Sequence, residues 1–153
     1  MNGIKHYGWE KRLKAKLSKV IPGDIFCFKL DRDGYGVGRI MTRNSLGHVA
    51  EIFKMTLNSP GLSTLPLKRL GDPIILDSYS LFDRKTEGGW RIIAHDDGYE
   101  APLEEAVRFA YGVADNKRLV DIFDNEVFLA GREEDYPRYA PMGDEKIKKV
   151  FGL

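Results

Sequence analysis

Cysteine is almost absent from this sequence, since Cys27 is the only one among 153 residues. An internal disulfide is therefore excluded, and an apolar core has to hold the fold together. Cys27 lies between Phe26 and Phe28, with no helix start or obvious cation to stabilise a thiolate, so we interpret it as a buried structural residue. Low cysteine usage is typical of a reducing compartment, and we expect a cytoplasmic protein.

Long apolar runs are also missing. No stretch approaches the roughly 20 apolar residues of a membrane span, and the first residues lack the apolar segment of a signal peptide, so we expect no contact with a membrane. Hydrophobic residues make up 42% of the chain and charged residues 31%. This composition and the length of 153 residues predict one globular domain over residues 1–153.

The patterns that carry catalysis or bind metals are absent too. His6, His48 and His95 are far apart in sequence, and we interpret the compact His-Asp-Asp run at 95–97 as a solvated polar turn. Residues 31–34 begin like a calcium loop, but Thr42 stands where that loop needs a glutamate, so a hairpin turn explains them better. No Gly-x-Ser-x-Gly elbow, phosphate loop or paired catalytic carboxylates occur. We therefore predict no catalytic residue, no metal and no cofactor, and a protein that is not an enzyme.

Charge is nearly balanced overall, at +1, but it is unevenly distributed. Residues 1–20 hold six basic residues against one acidic residue, for a net +5, whereas residues 95–135 hold four against twelve, for a net −8. Two interpretations stay open. The two regions can neutralise each other on a solvated surface, or the acidic region can steer a basic partner to the protein.

The pattern of apolar residues predicts an α+β fold. We expect a mainly antiparallel, strongly twisted β-sheet or partly open barrel, with a short N-terminal helix over residues 9–20 and a C-terminal helix over 143–153. Residues 103–113 fit either a helix or a strand, and we prefer a strand that turns at 115–116 into another at 119–123. The remaining strands are predicted at residues 25–30, 35–43, 48–57, 74–82 and 90–94.

The first predicted hairpin alternates glycine along its second strand, at Gly34, Gly36 and Gly38. Bare backbone on one face of a sheet accepts either a packed aromatic ring or the close approach of a partner, and we favour internal packing. Phe26, Phe28 and Tyr35 stand near basic residues, which is also typical of surfaces that stack single-stranded nucleic acid. We favour core packing for these rings and do not expect nucleic acid as the partner.

Two segments of this hairpin form a recognisable pattern: Pro-Gly-Asp-Ile-Phe-Cys-Phe-Lys-Leu over residues 22–30 and Asp-Gly-Tyr-Gly-Val-Gly-Arg-Ile over residues 33–40. The pattern resembles the opening of the immunity protein 26 family, and a later Gly-Trp followed by aliphatic residues at 89–93 fits the same family. The resemblance extends over about residues 20–125. It implies that the shared positions are scaffold: Gly23, Asp24, Gly34, Tyr35, Gly36, Gly38, Arg39 and Trp90.

The resemblance also implies a function. Proteins of this kind are bacterial antidotes that bind the C-terminal toxin domain of a polymorphic toxin or contact-dependent growth inhibition system, and many such toxins are nucleases. A basic nuclease would match the acidic region. We predict contacts at Asp96, Asp97, Glu100, Asp121 and Asp124, with Tyr99 and Tyr111 as aromatic anchors. A small β-barrel that binds nucleic acid is the alternative, and the sequence gives no indication of oligomeric state.

Overall fold

A computed structural model describes residues 3–10, 17–62, 68–82 and 88–153. The α+β class is confirmed, because the described residues form two antiparallel sheets and two α-helices, and the larger sheet is open rather than closed into a barrel. Its strand order is β1-β6-β2-β3-β4-β5, and the second sheet has the order β7-β8-β9. The strands are β1 Ile4–His6, β2 Asp24–Lys29, β3 Tyr35–Asn44, β4 Gly47–Leu57, β5 Ile74–Leu76, β6 Trp90–Asp96, β7 Phe109–Tyr111, β8 Arg118–Val120 and β9 Glu126–Phe128.

The helical parts of the described residues are short. The α-helices are α1 Ser78–Phe82 and α2 Asp144–Phe151, and 3-10 turns occur at Leu17–Lys19 and Glu133–Asp135. Residues 11–16, the middle of the predicted N-terminal helix, lie outside the described residues. The predicted C-terminal helix is confirmed as α2, whose last turn ends on Gly152 in the left-handed conformation, with φ of 68°. None of the helices in the described ranges has the length and apolar character that a membrane crossing needs.

Aromatic rings fill the space that the alternating glycines leave on the larger sheet. A Cβ atom at Gly36 would come within 2.3 Å of the Phe28 ring, and one at Gly38 would come equally close to the Phe26 ring. Trp90 stacks on Phe28 with ring centroids 4.1 Å apart and planes 7° from parallel. Internal packing of the glycine face is therefore confirmed. Phe26 and Phe28 have no exposed surface, so they belong to the core and cannot serve as a stacking platform for bases.

The prediction of one strand over residues 74–82 is wrong, because the chain changes from strand to helix at Asp77. The Asp77 carbonyl accepts a backbone hydrogen bond from Leu81 at 3.1 Å, and its carboxylate lies 3.5 Å from the amide of Ser80. An aspartate whose carboxylate faces the amide three residues later caps the first turn of a helix, so the chain leaves the strand at Asp77. The α1 helix then buries Leu81 and Phe82 in the same core as Phe26.

The second sheet covers part of the opposite face of the larger sheet. Phe109 and Ile122 pack with Met41, Val49 and Ile75 in one buried cluster. The Thr42 hydroxyl donates a hydrogen bond to the Ile122 carbonyl across the two sheets. The larger sheet is thus a middle layer, with α1 and α2 on one side and the second sheet on the other.

Strands on both sides of a turn at residues 115–116 are confirmed, and within residues 103–113 the chain is irregular up to residue 108 and then forms β7 at Phe109–Tyr111. The predicted strand at 119–123 extends too far, because β8 ends at Val120 and a turn over 121–125 leads to β9. Neither that turn nor β9 is predicted by the sequence pattern.

Candidate functional site

The scaffold residues of the Pro-Gly-Asp corner hold the start of β2 against the end of β6. Asp24 Oδ1 lies 2.8 Å from Nδ1 of His95, and Asp24 Oδ2 accepts the amide of Ile21 at 3.0 Å. Gly23 has φ of 94°, and a Cβ atom there would lie 2.6 Å from the Asp96 carbonyl oxygen. A side chain is therefore excluded at position 23, which explains why this corner needs glycine.

A partly buried ionic network crosses the middle of the larger sheet on the side opposite the helices. The Arg39 guanidinium binds Glu51 Oε2 through Nε at 3.1 Å and Nη2 at 3.0 Å, and its Nη1 lies 3.3 Å from Asp96 Oδ2. Arg69 joins the network through Glu51 at 3.3 Å and through Glu105 at 2.7 Å. The Asp96 carboxylate therefore forms an ion pair with Arg39 within the protein.

The Tyr99 ring packs against the Arg39 side of this network. The Arg39 guanidinium carbon lies 4.1 Å from the centroid of the Tyr99 ring, a cation–π contact. Burial, with the nearby Glu51 carboxylate, raises the pKa of Tyr99 to about 12. Its hydroxyl is buried and has no hydrogen-bond partner among the described residues. The structure therefore leaves this predicted anchor half-buried against the network, whereas the neighbouring Asp97 and Glu100 are exposed.

Asp121 and Asp124 shape the turn between β8 and β9. Asp121 accepts the amides of Phe123 at 2.8 Å and Asn125 at 2.9 Å, and Asn125 also donates its side-chain amide to it at 3.0 Å. Burial works to raise the pKa of Asp121, but these hydrogen bonds outweigh it and the pKa is lowered. Asp124 has φ of 67° and accepts hydrogen bonds from the Ser45 amide at 3.0 Å and the Tyr139 hydroxyl at 3.2 Å.

The predicted acidic contacts therefore fall into two separate groups. Asp96 binds Arg39 in β3, whereas Asp124 binds Ser45, just after the end of that strand. Arg39 and Ser45 are six residues apart, which corresponds to about 20 Å along an extended strand. The structure thus does not unite Asp96, Asp97 and Glu100 with Asp121 and Asp124 in one cluster.

The second sheet carries an exposed row of three paired side chains. Tyr111 pairs with Arg118, and Arg118 pairs with Phe128, so all three lie side by side on one face of the sheet. The Arg118 guanidinium carbon lies 3.9 Å from the centroid of the Phe128 ring, which is 65% exposed. The Tyr111 hydroxyl donates to Glu126 on the same face, and this hydrogen bond raises the pKa of Tyr111. We call Tyr111, Arg118 and Phe128 the cross-strand row.

Sequence reasoning found only Tyr111 of this row. The apolar run Val127, Phe128 and Leu129 was the available signal for β9, but it is only three residues long. Arg118 and Phe128 face each other because the turn at Asp121 fixes the register between β8 and β9. Since that turn was not predicted from the sequence, the pairing could not be predicted either.

Two buried nucleophiles are closed off from any substrate. Cys27 is fully buried, and burial raises the pKa of its thiol to about 12. The Ser78 hydroxyl lies 2.6 Å from Nδ1 of His48, while Nε2 of that ring lies 3.0 Å from the Val20 carbonyl oxygen. Ser78 is only 4% exposed, and the contacts of His48 join β4, α1 and the segment before β2.

Across the described ranges, histidine, cysteine and carboxylate side chains form no group of three that could hold a metal ion.

These features define a small α+β protein with a closed core and an exposed aromatic surface on its second sheet. The chain belongs to the immunity protein 26 family, whose model matches residues 21–121, more than half of the sequence. The match runs from the corner before β2 to the end of β8 and so contains the whole glycine-alternating hairpin. Searches of curated proteins and of solved structures find no significant match. The family assigns the chain a toxin-neutralising role with a protein toxin as its partner.

Proposed function

We propose that this chain is a cytoplasmic bacterial immunity protein that binds the C-terminal nuclease domain of a cognate toxin and blocks its active site without covalent chemistry. The toxin belongs to a polymorphic or contact-dependent growth inhibition system. The observation that carries the proposal is the family match over residues 21–121. It is supported by a surface that combines exposed aromatic residues with carboxylates.

The cross-strand row forms the centre of the proposed contact surface. Tyrosine and arginine are enriched among the residues that dominate binding energies, and aromatic side chains bury a large apolar area with few rotatable bonds. The contact between Arg118 and Phe128 and the hydrogen bond between Tyr111 and Glu126 fix these side chains before the partner arrives. Such preorganisation lowers the entropy lost on binding.

Carboxylates surround this centre and complement a basic toxin. The segment 121–128 carries three carboxylates and no basic residue. Two of these, Asp121 and Asp124, also hold the turn, so their charge is presented by a rigid loop. Nucleases need cationic surfaces to bind phosphate, and charge complementarity speeds association more than it tightens the final complex. Asp97 and Glu100 stay in the proposal as outer contacts that steer the toxin at longer range.

Co-expression is the direct test. The toxin domain encoded beside this gene is induced in cells with and without this chain, and a catalytically inactive toxin is used for pull-down and for measurement of the complex mass. We expect growth to be rescued and a stable one-to-one complex to form. In vitro, the chain should inhibit cleavage of a short oligonucleotide at stoichiometric amounts, which separates active-site blocking from mere capture. Failure of both rescue and complex formation would contradict the proposal.

The salt dependence of association tests the electrostatic part alone. The association rate constant should fall as ionic strength rises from 0.05 to 0.5 M, since the Debye length shrinks from about 14 to about 4 Å. Glu100→Lys should slow association further, while Glu145→Lys on the exposed side of α2 is the matched control for a change of the same charge elsewhere. Equal rates for both variants would remove Glu100 from the contact surface.

A further inference from the structure

Strand β9 leaves one side of its backbone unpaired. The amide of Leu129 donates to Lys117, and the amide of Asp121 donates to the carbonyl of Asn125. Residues 125, 127 and 129 therefore point their backbone groups toward β8, because these groups alternate in an antiparallel pair. The amides and carbonyls of Glu126 and Phe128 point the other way, to an edge with no partner in the described residues.

The other outer strand of this sheet is already covered. The amide of Ala110 in β7 donates to the Pro137 carbonyl at 2.8 Å, and the Ala110 carbonyl accepts the amide of Tyr139 at 2.9 Å. As far as the described residues show, the second sheet can thus grow only at β9. An open edge that is exposed along its whole length is a template for another strand, and all three residues of β9 are exposed.

We propose that β9 is a docking strand on which an extended segment of the toxin, carrying lysine or arginine, adds to the second sheet; this rests on the proposed function. The basic character follows from the acidic setting of the edge: residues 121–128 contribute three carboxylates and no cation. An incoming strand places one residue opposite Glu126 and one opposite Phe128, on the same face as the cross-strand row. A basic residue fits the first position and an apolar residue the second.

β9 lies just outside the segment that matches the family, where residues that determine specificity for one toxin are expected. The family match ends at Asp121, so the shared scaffold stops where the turn into β9 begins. Strand β1, at the edge of the larger sheet, carries Lys5 and His6 and is therefore unsuited to a basic segment. Backbone pairing would supply affinity at β9, and the side chains that flank it would supply specificity.

Amide exchange resolved by NMR tests the docking strand directly, with the full chain alone and saturated with the inactive toxin domain. The amides of Glu126 and Phe128 should exchange at least tenfold more slowly in the complex, while that of Val127 should change far less because β8 already binds it. A rescue-competent complex without this protection would overturn strand addition and leave the proposed function standing. Lack of any complex would overturn both. Protection that appears in the free chain and rises with its concentration would identify a second copy as the occupant and would also overturn the proposal.

Proline substitution provides an independent measurement. Phe128→Pro removes an amide that points away from β8, which an edge strand tolerates, whereas Phe128→Ala removes the ring alone. We expect Phe128→Pro to weaken toxin binding at least tenfold beyond Phe128→Ala, with both variants showing the chemical shift dispersion of a folded protein. Equal affinities of the two variants would overturn the proposal. Val127→Pro is the contrasting variant and should unfold the β8–β9 pair itself.

Discussion

The indole Nε1 of Trp90 donates a hydrogen bond of 2.7 Å to Oδ1 of Asp144, the first residue of α2. The same carboxylate binds the buried ammonium group of Lys148 at 2.9 Å, and that ammonium also lies 3.1 Å from Asp31. Because the Trp90 ring stacks on Phe28, one side chain connects the glycine-alternating hairpin to the C-terminal helix. The tryptophan of the family pattern thus organises the side of the fold opposite the proposed contact surface.

Replacement of Trp90 by phenylalanine should therefore reduce stability without affecting toxin binding. Phenylalanine keeps much of the stacking but removes the hydrogen bond to a carboxylate and part of the buried ring, so the free energy of unfolding should fall by about 2–4 kcal/mol. Urea unfolding followed by circular dichroism measures the change. Tyr79→Phe in α1, where the side chain is 70% exposed, is the control and should change stability by less than about 0.5 kcal/mol. An equal loss in both variants would contradict the proposed role of Trp90.

The close contact between Gly38 and Phe26 makes a second prediction. An added methyl group at Gly38 would lie 2.3 Å from the Phe26 ring and 2.6 Å from the Glu51 carbonyl oxygen, and the backbone oxygen cannot move freely. Gly38→Ala should lower the free energy of unfolding by about 1–3 kcal/mol or more, as other overpacked cores do. Gly61→Ala, which has open space around it, should be nearly neutral in the same urea experiment. Comparable destabilisation by both substitutions would show that the ring does not exclude a side chain at Gly38.

The ionic network around Glu51 makes a third prediction. Glu51 is 6% exposed and binds both Arg39 and Arg69, so Glu51→Ala leaves two partly buried guanidinium groups without that carboxylate. We expect a loss of about 3 kcal/mol, less than for fully buried arginines because water still reaches both groups. The exposed pair of Arg132 and Glu134 is the matched control, and Glu134→Ala should not change the urea midpoint measurably. A small effect at Glu51 would mean that the network adds little net stability.

Local patterns were sufficient to predict the hairpin of β2 and β3. Alternating glycines opposite alternating phenylalanines admit one register, because a slip by one residue would place a Phe ring against a side chain rather than against bare backbone. The α2 helix was likewise predictable from its own apolar spacing. The strand predicted over residues 74–82 failed because the alternation of apolar residues continues across Asp77, whose helix-capping role depends on the direction the chain takes afterwards.

The candidate contacts were harder to predict because their use depends on distant residues. Asp96 and Glu100 look alike in the sequence, yet Asp96 is bound to Arg39, 57 residues away in the chain, and Glu100 is exposed. Tyr99 looks like an anchor until Arg39 is found beneath its ring. Charge counting over residues 95–135 points to the region of the proposed contact surface, but it could not tell carboxylates that build the fold from those that face solvent.

The buried pair of His48 and Ser78 makes stability depend on pH. Burial lowers the pKa of His48 below its ordinary value of 6.5, so the unfolded chain binds a proton more readily than the folded protein. The contribution of neutral His48 is fully present above about pH 6.5 and is lost as the pH falls through the lower, folded-state pKa. Urea unfolding at pH 8.0, 6.5 and 5.5 should show this loss, and His48→Gln should flatten the slope over that interval. An identical slope in the variant would assign the pH dependence to other groups.

The cross-strand row makes the last prediction, which concerns affinity rather than stability. Tyr111→Ala and Phe128→Ala should each weaken binding of the inactive toxin about 10- to 100-fold, or about 1.4–2.8 kcal/mol, because each removes an exposed ring at the centre of the proposed surface. Since Arg118 lies over the Phe128 ring, a double-mutant cycle of Arg118→Ala and Phe128→Ala should show coupling of at least about 0.5 kcal/mol. Calorimetric titration gives all the affinities. Tyr79→Ala, an exposed aromatic residue on the opposite side of the larger sheet, should bind like the unmodified chain. If Tyr79→Ala weakens binding and the row variants do not, the toxin docks on the helical side instead.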